Sequence, residues 1–128
     1  MLDENTIAKI IVNCAYKVHT ILGPGLLESV YQSALTHELQ NYHLNVKEQV
    51  PISVNYDGVN LEVGFLADIL VEEKVIIELK SVESINPVHK KQLLTYLRLA
   101  DKRLGLLINF NELLIKHGIT RIVNNLEE

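Results

Sequence analysis

The apolar pattern of this chain first changes period near residue 45, and that change constrains the fold more than any other feature. Upstream of it, Ile7, Ile10, Ile11, Cys14, Val18 and Ile21 recur at helical spacing. They predict a helix over residues 3–22, with Asp3 or Asn5 as its N-cap. Gly23-Pro24-Gly25 breaks it. Leu27, Val30, Tyr31, Ala34, Leu35 and Leu39 repeat the pattern and predict a second helix from about Leu26 to Tyr42. Downstream, Val50, Ile52 and Val54 alternate with polar neighbours, as a strand over residues 46–56 requires. Asp57-Gly58 is a strong hairpin signal. It leads into a second strand, Val59 to Val71, then a turn at Glu72-Glu73-Lys74 and a third strand, Val75 to Lys80.

Asn86-Pro87 opens a third helix, with proline near its first position, reaching about Ala100. Leu104 to Asn109 is a short apolar run of the buried-strand type, and a last strand is expected near Ile119 to Val123. The order α-α-β-β-β-α-β-β predicts an α/β (α+β) fold, a mixed sheet with helices packed against it. The chain has 128 residues, 48% of them hydrophobic, which fits one domain over residues 1–128 with a real core.

Several classes drop out. One cysteine allows no internal disulfide, and Cys14 lies on the apolar stripe of the first helix, as a buried thiol would. One cysteine and five scattered histidines build no zinc site. No basic-then-apolar leader begins the chain, and no apolar run nears the roughly 20 residues of a membrane span, so a cytoplasmic protein without membrane contact is expected. The net charge of −4 argues against a broad grip on a phosphate backbone but leaves room for a small local footprint.

The chemistry concentrates in the second and third strands. Strand alternation puts Asp68 on the face of Leu66 and Leu70, and Glu78 on the face of Lys80. A turn centred on Glu73 pairs Val71 with Val75 and Ile69 with Ile77, and so brings Asp68 opposite Glu78. Two carboxylates facing each other in an apolar sheet repel, and desolvation adds to the cost. Either one stays protonated or a cation lies between them. Oxygen-only donors favour magnesium, manganese or calcium, and magnesium held by two carboxylates plus water suits phosphate chemistry. Lys80 would lie beside such a water. The spacing equally allows a metal-free arrangement, with Asp68 at a bent strand end and Glu78 paired to Lys80.

These residues resemble a known family. Asp68 followed by Glu78-Leu79-Lys80 at the end of an apolar strand resembles the core of the PD-(D/E)XK nuclease superfamily. Gly25-Leu26-Leu27-Glu28-Ser29-Val30-Tyr31 resembles the signature of the bacterial and archaeal GxxExxY proteins. Gln92-Leu93-Leu94-Thr95-Tyr96 is similar to the Q-x-x-x-Y motif of the exonuclease-like branch, and Gly105 to Phe110 looks like the family's terminal segment. The resemblance spans about residues 7–124. It implies a restriction-endonuclease-like core with a central sheet of about four to five strands, and a magnesium- or manganese-dependent nuclease. It also implies roles: Asp68 and Glu78 as metal ligands, and Lys80 assisting the nucleophile. Glu28 would be a further carboxylate, directly or through water, and Gln92 would position nucleophile or substrate with Tyr96 in support. Two positions depart from the pattern. Ala67 stands where proline is usual, and Leu66 where many relatives carry a basic residue, a loss that would weaken phosphate contact without removing a metal ligand.

Other side chains have structural readings beside the functional ones. Glu28 also suits a helix N-terminus. Tyr31 reads more as core packing with a satisfied hydroxyl than as an acid. His19 and His89 read as supporting or capping groups; His37, His43 and His117 read as surface. Lys91, Arg98 and Lys102 fall on one face of the third helix, where they would touch a phosphate backbone or simply face water.

Two functions stay open from sequence. One is a metal-dependent nuclease acting on DNA rather than RNA. The other is a non-catalytic binding or regulatory protein on the same fold. The mean hydropathy of +0.14 is compatible with a homo-oligomer.

Overall fold

The structure is a computed structural model describing residues 1–127, apart from the side chains of Glu62 and Val63. Its elements are α1 (Glu4–Leu22), α2 (Glu28–Asn41), β1 (Val46–Tyr56), β2 (Val59–Val71), β3 (Val75–Lys80), α3 (Pro87–Ala100), β4 (Leu104–Asn109), a 3-10 turn (Ile115–His117) and β5 (Ile119–Val123). This is the order the apolar pattern predicts. The strands form one five-stranded sheet in the order β1-β2-β3-β4-β5. Only β3 and β4 run parallel; the other neighbours are antiparallel. A parallel pair needs a crossover, and α3 supplies it.

Local chemistry explains the boundaries. Asp3 caps α1, its carboxylate accepting from Thr6 N at 2.8 Å. Gly23, at φ 70°, ends the helix. The second helix begins at Glu28, two residues later than its apolar pattern suggests, with no side-chain cap at Leu27. Its buried stripe is also narrower than expected. Tyr31, Leu35 and Leu39, one row at four-residue spacing, are buried, whereas Leu27 is 74% and Val30 41% exposed. A single row meets the sheet because the exposed first turn stands clear of it. Ile21, near the end of α1, is likewise exposed.

The sheet is covered on both faces. On one, Ile7 and Ile11 of α1 and Leu35 of α2 join Phe110, just after β4, in a cluster with Ile77 and Leu106 of the sheet. On the other, Leu93 and Leu97 of α3 cover Leu70, Ile76 and Leu107. A Cβ at Gly105 would lie 3.0 Å from the Leu93 side chain, so its absence lets α3 seat closely on β4. Cys14 is a free, buried thiol, and burial pushes its pKa up to about 11, which keeps it inert.

One asymmetry positions the site. The β2–β3 pairing stops at Ile69↔Ile77, while β1–β2 pairing continues out to Tyr56↔Val59. Beyond Ile69 the two strands form a ribbon with no β3 beside it. This ribbon folds onto α3: Ile52 joins the Leu93–Leu97 cluster, and Phe65 stacks on Tyr96. A register shift between Ile52 and Val54 bends it, and a Cβ at Gly64 would lie 1.6 Å from the Ile52 carbonyl oxygen.

Candidate active site

The site lies where β2 leaves β3. The register Val71↔Val75 and Ile69↔Ile77 is the one the turn spacing requires. The next position carries Asp68 and Glu78, and here the backbone ladder gives way to a reciprocal exchange. Leu79 N donates to Asp68 Oδ2 at 2.8 Å, and Asp68 N donates to Glu78 Oε1 at 3.2 Å. Each carboxylate thus stands in for a carbonyl of the opposite strand. The exchange satisfies two amides that the parting strands would otherwise leave unpaired.

The electrostatics follow from burial. Glu78 is only 9% exposed. Desolvation, with the charge of Asp68 beside it, raises its pKa to about 8, and Lys80 offsets part of this. At neutral pH the Glu78 carboxyl is therefore mostly protonated. Tyr96 also feels the pair: burial first, then Glu78 and Asp68, raise its hydroxyl pKa.

Lys80 is half-buried, two residues beyond Glu78 on the same strand face. Its backbone is held from both sides. Lys80 O accepts from Phe110 N at 3.0 Å. Asn109, fully buried, accepts from Val82 N at 3.1 Å and donates to Val82 O at 2.9 Å. Ser81 Oγ donates to Leu26 O at 2.6 Å, tying the same segment to the loop before α2.

Compared with protein families, the sequence matches the PD-(D/E)XK nuclease superfamily over residues 5–122. The chain belongs to that superfamily. Searches of curated proteins and of solved structures return no match. PD-(D/E)XK nucleases generally use divalent metals and act on nucleic acid. The donor set fits such an ion. Two hard oxygen groups adjoin, one of them is buried, and a cation beside it would offset the desolvation that raises its pKa.

The other residues named by the PD-(D/E)XK resemblance are placed unevenly. Tyr96 lies against the pair, stacked on Phe65 at 3.3 Å between ring centroids. Gln92 is exposed on α3, one turn before Tyr96. Glu28 is exposed in the first turn of α2. Among the described residues no three His, Cys, Asp or Glu side chains come together closely enough to hold a metal. Glu28, Asp68 and Glu78 therefore form no such group in this structure.

Three supporting candidates do structural work elsewhere. Tyr31 is buried, stacks on Phe110 at 4.5 Å, donates to Gly23 O at 2.6 Å and accepts from Leu26 N at 3.1 Å. It fastens the Gly23–Gly25 loop. His19 Nε2 is 2.7 Å from Glu112 O and ties α1 to the segment after β4. His89 completes a capping box at the start of α3, its Nδ1 accepting from Asn86 N at 3.2 Å. The face expected for Lys91, Arg98 and Lys102 is broken: Asp101, at φ 53°, ends the helix before Lys102.

Sequence reasoning missed two residues. Asn109 lay inside the apolar run that predicted β4, where only its burial shows its role. Gln49 lay in β1 as one polar alternation among several. In the structure it has φ 50° and donates to Asp68 Oδ1 at 3.3 Å. A left-handed backbone at a non-glycine residue leaves no trace in an apolar pattern.

Proposed function

We propose that this protein is a divalent-metal-dependent nuclease of the GxxExxY type, hydrolysing phosphodiester bonds of DNA rather than RNA. The observation that carries this reading is the adjoining pair of Asp68 and the buried Glu78, each accepting from the other strand's backbone, with Lys80 two residues further along β3. Asp68 and Glu78 would hold Mg2+ or Mn2+, and Glu28 would reach the ion through water. The ion would supply Lewis-acid polarisation of a phosphoryl oxygen and a more acidic water. Lys80 orients the attacking water and balances charge on the phosphate, and its fixed backbone keeps the ammonium in register with the acids. Gln92 and Tyr96, one turn apart on α3, orient the substrate at the other side of the pair. We assign this work to residues 1–128 as one nuclease-like domain. A reducing, cytoplasmic setting accords with the free thiol of Cys14. No helix among the described residues is long and apolar enough to cross a membrane.

The test is cleavage of single-stranded, double-stranded and branched DNA, and of RNA, with Mg2+ or Mn2+. Wild type is compared with Asp68→Ala and Lys80→Ala. Metal-dependent cleavage is expected, falling at least about a hundredfold in both variants. If all three proteins are silent and calorimetry finds no metal binding, the nuclease reading falls and a protein-binding or regulatory role on this fold replaces it.

A further inference from the structure

Gln49 carries a strained backbone for which no turn or hairpin accounts. It lies within β1, between the regular pairs Glu48↔Ile69 and Val50↔Ala67, at the position facing Asp68. Its φ of 50° is uncommon for a residue with a side chain and is retained only where its surroundings enforce it. The consequence of that backbone is where the amide lies. Gln49 Nε2 donates both to Asp68 Oδ1 at 3.3 Å and to Gln32 Oε1 at 2.7 Å. Gln32 in turn donates to Glu48 Oε2 at 2.9 Å. Gln32 is four residues after Glu28 on α2, so the two share one helix face.

We propose that Gln49 is a positioning residue for the metal site. With Gln32 it forms a relay that fixes the free oxygen of Asp68 and registers the Glu28 face of α2 against the acid pair. The inference rests on the metal-dependent reading above. Asp68 Oδ2 is already committed to Leu79 N. Oδ1 is the atom left to face a cation, and Gln49 is the side chain that holds its direction. Partners of this outer kind change metal affinity or activity about ten- to a hundredfold when removed.

The experiment uses the full chain and reads Mn2+ affinity by calorimetry, thermal midpoint, and cleavage of single- and double-stranded DNA. The proteins are wild type, Gln49→Gly, Gln32→Ala, the double variant and Asp68→Ala. Glycine accepts the left-handed backbone, so Gln49→Gly should melt at or above the wild-type midpoint. Its Mn2+ affinity should fall about ten- to a hundredfold. The double variant should be no worse than Gln49→Gly alone, because the relay acts as a unit. The proposal is overturned if Gln49→Gly binds Mn2+ like wild type, if its affinity falls only together with its midpoint, or if the two substitutions add independently. Weakened Mn2+ binding in Gln49→Gly, with no cleavage by any protein, upholds the positioning role and removes the nuclease reading. A wild type that binds no Mn2+ removes both.

Discussion

Within one pair of strands, β2 and β3, two regions obey different physics. The half nearest the turn holds Ile69↔Ile77, Leu70↔Ile76 and Val71↔Val75, all buried and regularly paired. One residue further, the pairing passes to Asp68 and Glu78, and side-chain carboxylates replace carbonyls as acceptors. The first half gains stability from apolar burial and a complete ladder. The second sets a half-buried Asp68 beside a buried Glu78, whose pKa rises to about 8. The difference teaches that the strands part where an acid pair can be held, and that the apolar half anchors an arrangement unfavourable by itself.

The largest effect should come from weakening the anchor. Ile77→Ala is expected to cost about 2–5 kcal/mol of folding stability, measured by denaturant unfolding. A cost below about 1 kcal/mol would erase the contrast between the halves. In the acidic half, Asp68→Asn should change stability by less than about 1 kcal/mol at pH 7, since the amide oxygen still accepts from Leu79 N while the repulsion on Glu78 disappears. The Glu78 carboxyl should then titrate at lower pH, read by carbon-13 NMR. It should stay above its ordinary value, because burial is the larger cause of its rise. An unmoved Glu78 titration would show that Asp68 contributes nothing to it.

The pH dependence has a definite sign. The pKa of Glu78 is about 8 in the folded protein and about 4.5 for the free carboxyl, so the folded state holds the extra proton between those values. Its contribution to stability is complete below about pH 4.5 and is lost as pH rises through about 8. Thermal midpoints of wild type should fall across that window, whereas Glu78→Gln should be nearly flat. Identical slopes would remove Glu78 as the cause. Mn2+ should recover stability at the alkaline end, by about 2.7 kcal/mol at a hundred times its Kd. The smallest effect should come from the wall of the site. Phe65→Leu removes the ring stacked on Tyr96, costs about 1 kcal/mol, and brings the Tyr96 hydroxyl pKa back toward its usual value, read by ultraviolet titration.

How much of this was legible depended on distance along the chain. The element order could be read because periods of 3.6 and 2 are local. The Asp68–Glu78 juxtaposition could be read because a short turn fixes register: Glu72 and Glu73, both at positive φ, close the strands so that Ile69 meets Ile77. The exposure of Leu27 and Val30 could not, since a stripe records which residues are apolar and not how much of a helix the sheet covers. Nor could the work of Tyr31 and His19, whose partners at Gly23 O and Glu112 O are brought near only by the packing of the helices and the segment after β4.

By itself the sequence determined the α-α-β-β-β-α-β-β order, the facing acids and the lysine beside them, because each depends on residues a few positions apart. The tertiary structure alone decided that the pKa of Glu78 is raised, since desolvation is a property of everything packed around it. It alone drew Gln49 onto Asp68 and Gln32 onto Gln49. Those relations join α2, β1 and β2 across the fold, and only the docking of α2 against the sheet sets the distances between them.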